Sequence, residues 1–190
     1  MTLQKRIKLI MSKKFVLICS FLCLAATDAF CQKNNILGKD LPEGYTIENS
    51  YKGVIDDDQI QDYCFILKKT GSAPAEEPRP VLVVLSNHGH KKILRNDKIV
   101  WPLHYIGKYD NAFDKVSIRN NKIYLSQLFA SNSDISAGIL YFIFSFDKHT
   151  KTLVLNSIKR YDHDKNGKEV NEQVKIKPAT FEDFDYMDYN

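Results

Sequence analysis

The stretch Ala137-Gly-Ile-Leu-Tyr-Phe-Ile-Phe-Ser-Phe-Asp147 decides the fold class. Its alternating sets are Ile139, Tyr141, Ile143 and Leu140, Phe142, Phe144, Phe146. Both sets are apolar, which predicts a strand buried on both faces. Aromatic and β-branched residues dominate a short run, so a strand is expected rather than a helix. Such a strand must lie inside a sheet, with neighbours to cover it.

Working outward, the segments on either side repeat the same period. Gln61–Lys69, Val81–Ser86, Lys91–Arg95 and Lys98–Trp101 read as strands before it, as do Phe113–Arg119 and Lys122–Phe129. Thr152–Tyr161 and a polar edge strand, Lys168–Lys177, follow it. Asn87–His90, Asn96-Asp97, Asn120-Asn121, Lys148–Lys151 and Asp162–Gly167 punctuate them as turns. Asn120-Asn121 accepts positive φ and suits a two-residue hairpin. The expectation is an all-β antiparallel meander of about eight to ten short strands, propeller-like or sandwich-like, in one domain.

The N-terminus reads differently. Lys5, Arg6, Lys8, Lys13 and Lys14 precede the apolar run Phe15–Ala26 and then Ala29-Phe30-Cys31. A basic region, a short apolar region and a small-x-small end make a secretory signal peptide over residues 1–31. The apolar run is shorter than the roughly 20 residues a membrane span requires. Met11 is an alternative start, and Cys31 an alternative site of lipidation, although Phe30 is larger than the residue that usually precedes a lipidated cysteine. The chain is therefore expected in the periplasm or outside the cell. Residues 32–190 form the expected β domain, with 32–50 as an extended entry segment and 180–190 as an acidic, aromatic tail.

Removing the leader changes the charge. The full chain carries 27 basic and 23 acidic residues, and the leader holds five and one of these, leaving 22 of each. A neutral chain has no basic field for nucleic acid, so no nucleic-acid partner is expected. Cys64 is the one cysteine beyond residue 31, which leaves no internal disulfide.

Four groupings can carry chemistry. In Gly53-Val-Ile-Asp-Asp-Asp-Gln-Ile-Gln-Asp-Tyr-Cys-Phe65, Asp56, Asp58, the Ile60 carbonyl and Asp62 have the spacing of the Asp-x-Asp-x-Asp-Gly-x-x-Asp calcium loop of integrin-type propeller repeats. Val54 stands at the first ligand position and Gln59 at the glycine position. The alternative is a solvated acidic turn. Asp162–Gly167 has an EF-hand-like start, but Gln173 replaces the closing acid, and a hairpin turn explains it as well. His88 and His90, with His104 or His163, can be drawn as a zinc set for a metal-dependent hydrolase, against plain surface histidines. Cys64 can be drawn as a nucleophile, against a buried small residue between Tyr63 and Phe65.

Two further groupings suit recognition. Trp101, Tyr105 and Tyr109 form an aromatic loop able to stack on sugars or to anchor a protein, or else to plug the core. The tail offers Glu182, Asp183, Asp185 and Asp188 to a basic partner, or else Phe181 and Phe184 pin it to the sheet.

The chain resembles a family of secreted bacterial proteins of Bacteroidetes type, with one degraded calcium-type loop followed by a β-meander. The resemblance runs through Gly53–Phe65, Leu94–Val100, Phe113–Asn120 and Tyr141–Phe146. It implies a β-propeller-like fold, and some members inhibit lysozyme-type muramidases in the periplasm. Ala130–Ser136 lacks the glycines usual before the central strand in that family. The expected function is an exported, non-enzymatic binding protein that inhibits or gives immunity against a muramidase or secreted toxin. A carbohydrate-binding module is the alternative, and a metal-dependent hydrolase the second alternative.

Overall fold

The computed structural model describes residues 36–72, 79–100, 113–130, 137–163 and 168–189. The chain divides into Met1–Glu43 and Gly44–Asn190. The described part of the first unit holds a single 3-10 turn, Gly38–Asp40. The expected leader, residues 1–31, lies outside the described residues.

Among its described residues the second unit has nine strands: β1 (Tyr45–Gly53), β2 (Asp62–Lys69), β3 (Arg79–Asn87), β4 (His90–Val100), β5 (Phe113–Arg119), β6 (Lys122–Ala130), β7 (Ala137–Asp147), β8 (Thr152–His163) and β9 (Glu169–Val174). They form two antiparallel meanders, β1-β2-β3-β4 and β5-β6-β7-β8-β9. Neither closes into a barrel, and of the two expected arrangements the sandwich-like one fits. Its hairpins have a local cause. His88 and Gly89 have φ of 41° and 89°, and Asn120 and Asn121 have 50° and 56°. Two consecutive positive φ values give the turn whose twist matches the flanking strands.

The quoted stretch is β7, at the middle of the five-stranded sheet. Leu140, Phe142 and Phe144 lie in the core shared by the two sheets, with Ile123 and Leu125 of β6 and Leu153 and Leu155 of β8. Cys64, Ile66, Val81, Val83 and Leu94 enter it from the other sheet. The C-terminal tail closes it. Phe181 meets Phe144 at 5.3 Å between ring centroids, and Phe184 meets Phe142 at 5.1 Å and Phe144 at 5.5 Å. Edge-on and tilted rings at this spacing add to their area burial. Gly138 lies under the Phe129 ring, where a Cβ would overlap ring carbons. Arg160 covers that ring at 4.6 Å.

Three expectations are corrected. Burial on both faces belongs to β2 and β3, where Phe65, Leu67, Leu82 and Val84 are buried as well as the core set. On β7 the second face is only partly covered: Ile143 is buried, but Ile139 and Tyr141 are half-buried. The entry segment drawn to residue 50 contains most of β1. A bulge at Glu48, between the pairs Ile47–Leu67 and Asn49–Ile66, breaks the alternation that would have revealed the strand. The extra residue is used, since Glu48 pairs with the buried Arg79 at 3.1 Å. Asn96-Asp97 does not reverse the chain either. β4 runs through it with a register shift against β3, so the turn-forming residues make a bulge.

Candidate functional site

The acidic loop between β1 and β2 is held together by its own carboxylates. Asp62 is fully buried at the start of β2. Its Oδ2 accepts the Ile55 N–H and its Oδ1 accepts the Ser86 N–H, both at 2.8 Å. It therefore ties the loop to β3. Burial pushes its carboxyl up, against the pull of the Ser86, Ile55 and Asp56 N–H donors. Asp56 Oδ1 accepts the Asp58 N–H at 3.1 Å, and Asp58 Oδ1 accepts the Ile60 N–H at 2.8 Å. Asp57, outside the predicted ligand set, bonds Asn121 at 2.8 Å and pairs with Lys148. The Lys148 ammonium holds the Asp57 carboxyl below its ordinary range.

The loop thus bridges the two sheets through the Asn121 side-chain amide and the Lys148 ammonium. Among the described residues, no three His, Cys, Asp or Glu side chains converge as a metal-holding group. Asp58 Oδ2 is shielded from solvent with no hydrogen-bond partner among the described residues.

Asp56 differs from its neighbours. Desolvation, then the nearby Asp58 and Asp62 carboxylates, raise it from 3.8 to about 6. A carboxyl whose folded pKa exceeds its unfolded one favours the folded state while protonated. That gain is complete below pH 3.8 and lost as pH rises through 6. Asp56→Asn is therefore expected to leave stability unchanged near pH 3.5 and to raise it at pH 7.5. The full shift corresponds to about 3 kcal/mol. Solvent screening at this half-exposed position reduces the expected gain to about 1 kcal/mol. Urea unfolding at the two pH values checks it.

Of the histidine set, the described side chains are those of His88, His90 and His149, and only the first two belong to the zinc reading. His88 and His90 are exposed at the β3–β4 hairpin. His104 lies outside the described residues, as does the side chain of His163. Cys64 is fully buried and without a disulfide, and burial pushes its thiol up to about 12. Little nucleophilic thiolate forms there at neutral pH. Asp162 is buried on β8 and meets Arg160 at 3.0 Å, so the first residue of the EF-hand-like run belongs to a strand, and residues 164–167 lie outside the described residues.

The recognition residues divide in the same way. Trp101, Tyr105 and Tyr109 lie outside the described residues. In the tail, Phe181, Phe184 and Tyr186 are buried. Asp183 accepts the Thr180 hydroxyl at 2.6 Å, and Asp185 meets Lys98 at 3.0 Å. Glu182, Asp183 and Asp188 are exposed beside Met187, which is 45% exposed.

The second face of the five-stranded sheet was not foreseen as a site. Tyr124 opposes Ile143, Tyr141 opposes Ser126 and Lys159, and Tyr161 opposes Ile139. Each tyrosine is thus offset by two residues from the last, and the three form a diagonal across β6, β7 and β8. Tyr161 is 40% exposed and meets Tyr141 edge-on at 5.3 Å. Arg119 stacks on Tyr124 at 4.5 Å. Register places Lys115, Lys122 and Lys159 on the same face, with no paired carboxylate among the described residues. The acids of this face are peripheral: Asp114 accepts from Ser126, Asp147 caps the β7–β8 turn, and Glu169 sits at the end of β9. The signal in the sequence was tyrosine, rather than valine or isoleucine, at positions out of phase with the core set.

Among the described residues, no helix is long and apolar enough to cross a membrane. No protein-family model, no curated protein and no solved structure matches the chain.

Proposed function

We propose that this chain is an exported, non-catalytic recognition domain that binds a hydroxyl-rich glycan on the outer face of its five-stranded sheet. The observation that carries this reading is the diagonal of Tyr124, Tyr141 and Tyr161, flanked by lysines with no paired carboxylate among the described residues. Tyrosine presents an apolar ring and a hydroxyl together, which suits a sugar with an apolar face and a rim of hydroxyls. A rigid sheet holds the rings in place before binding, which limits the ordering cost. Export rests on the basic and apolar leader of residues 1–31.

Binding to a panel of soluble polysaccharides and cell-wall glycan, measured by calorimetry and pull-down, tests the reading. Tyr161→Ala is expected to weaken binding about fivefold, from about 1 kcal/mol of lost ring contact. Tyr141→Ala with Tyr161→Ala is expected to weaken it by more than tenfold, while the thermal midpoint stays close to that of the parent. Unchanged affinity in the double variant, or no glycan binding at all, overturns it.

A second reading keeps the inhibitor expectation. The exposed Glu182, Asp183, Met187 and Asp188 form an acidic strip with one apolar anchor, suited to a basic protein such as a muramidase or secreted toxin. A complex lost on Glu182→Lys with Asp188→Lys, and kept in the tyrosine variants, favours this reading over the first.

A further inference from the structure

A cleft of about 200 Å³ lies where the acidic loop, the β3–β4 hairpin and the β7–β8 turn converge. Leu85 and Phe146 give it an apolar lining. Lys91 and Lys92 of β4 and Lys151 of the β7–β8 turn supply positive charge, and the Lys92 ammonium donates to the Lys151 carbonyl at 2.7 Å. Asp56 supplies negative charge from a separate element.

Among the described residues, Asp56 forms no ion pair with Lys92 or Lys151. Its carboxyl is raised by desolvation and by other carboxylates. An ammonium lying against it would pull it down, as Lys148 pulls Asp57. The cleft is therefore lined by a carboxylate and by the Lys92 and Lys151 ammonium groups, which form no ion pair with it, beside the apolar surface of Leu85 and Phe146. Its volume is below the usual range for drug-sized ligands and suits a molecule the size of one amino acid.

We propose that this cleft binds a compact zwitterion of amino-acid type, with its ammonium on Asp56, its carboxylate on Lys92 and Lys151, and its side chain against Leu85 and Phe146. The ligand supplies the cation that Asp56 lacks, and the apolar lining selects a hydrophobic side chain over glycine. This assignment is independent of the glycan-binding face, which lies on the other side of β7.

Amide-resolved NMR titration of the whole domain with L-leucine and D-leucine tests it. Shifts are expected at Asp56, Lys92 and Lys151, saturating in the millimolar range. N-acetyl-leucine and leucinamide, each lacking one charge, are expected to bind about tenfold more weakly or worse. Asp56→Asn is expected to keep its fold yet lose about tenfold in leucine affinity, and to bind leucine and N-acetyl-leucine alike. Equal binding of leucine and N-acetyl-leucine by the parent chain would indicate a plain anion site and overturn the proposal. So would the absence of any shift at the cleft up to about 50 mM of either enantiomer, a level that detects even very weak affinity.

Discussion

A chain ending at Ala179 is expected to lose cooperative folding. The residues removed include Phe181, Phe184 and Tyr186, all buried in the core shared by the two sheets. Deleting one buried aromatic side chain typically costs about 3–5 kcal/mol. Three together, at roughly 10 kcal/mol, match the whole stability of an ordinary domain. Hydrogen bonds are lost as well. The Phe181 N–H donates to the Leu153 carbonyl at 2.8 Å. The buried Asn96 donates to the Phe181 and Phe184 carbonyls at 2.6 and 2.7 Å, and would be left facing an empty core. Phe184→Ala alone is expected to cost about 4 kcal/mol, since its ring packs on Phe142, Phe144 and Tyr189. Far- and near-ultraviolet circular dichroism with urea titration checks both. A truncated chain with a sharp transition at the parent midpoint would show the tail to be an accessory.

Asp62→Ala is the second large effect, expected at about 4 kcal/mol. The substitution removes the acceptors of the Ile55 and Ser86 N–H groups. Each buried donor left unpaired costs about 1–3 kcal/mol. It also frees the loop that carries Asp57 to Asn121 and Lys148. Asp62→Asn keeps one acceptor oxygen and is expected to cost roughly half as much. Hydrogen exchange locates the effect, with faster exchange at Ile55 and Ser86 expected before any change at Phe142. Should calcium instead hold this loop, Asp62→Ala would lose a calcium-dependent rise in melting temperature that the parent shows. On the hydrogen bonding observed here, the parent is expected to melt alike with calcium and with chelator.

The strand period was legible along most of the chain because its core residues alternate without interruption, as in Cys64, Ile66 and in Phe142, Phe144. Hairpin turns were legible where two residues in a row tolerate positive φ, as at Asn120-Asn121. Bulges were not. A single extra residue at Glu48 hid β1, and turn-forming residues at Asn96-Asp97 suggested a reversal where β4 continues. At the acidic loop the carboxylates are legible in the sequence and their hydrogen-bond partners are not. Spacing shows that carboxylates recur, but not that Asp62 turns inward onto Ser86, 24 positions away.

The alternation of apolar residues and the placement of glycine and asparagine in turns are local properties, and by themselves they determined an all-β chain with β7 inside a sheet. Tertiary structure alone decided which of two apolar faces became core. Phe181 and Phe184 return from the far end of the chain to cover Phe142 and Phe144, and their number suffices for one face only. The opposite face of β7 is left with Tyr141 half-exposed between Tyr124 and Tyr161, and that allocation is what places the candidate binding surface there.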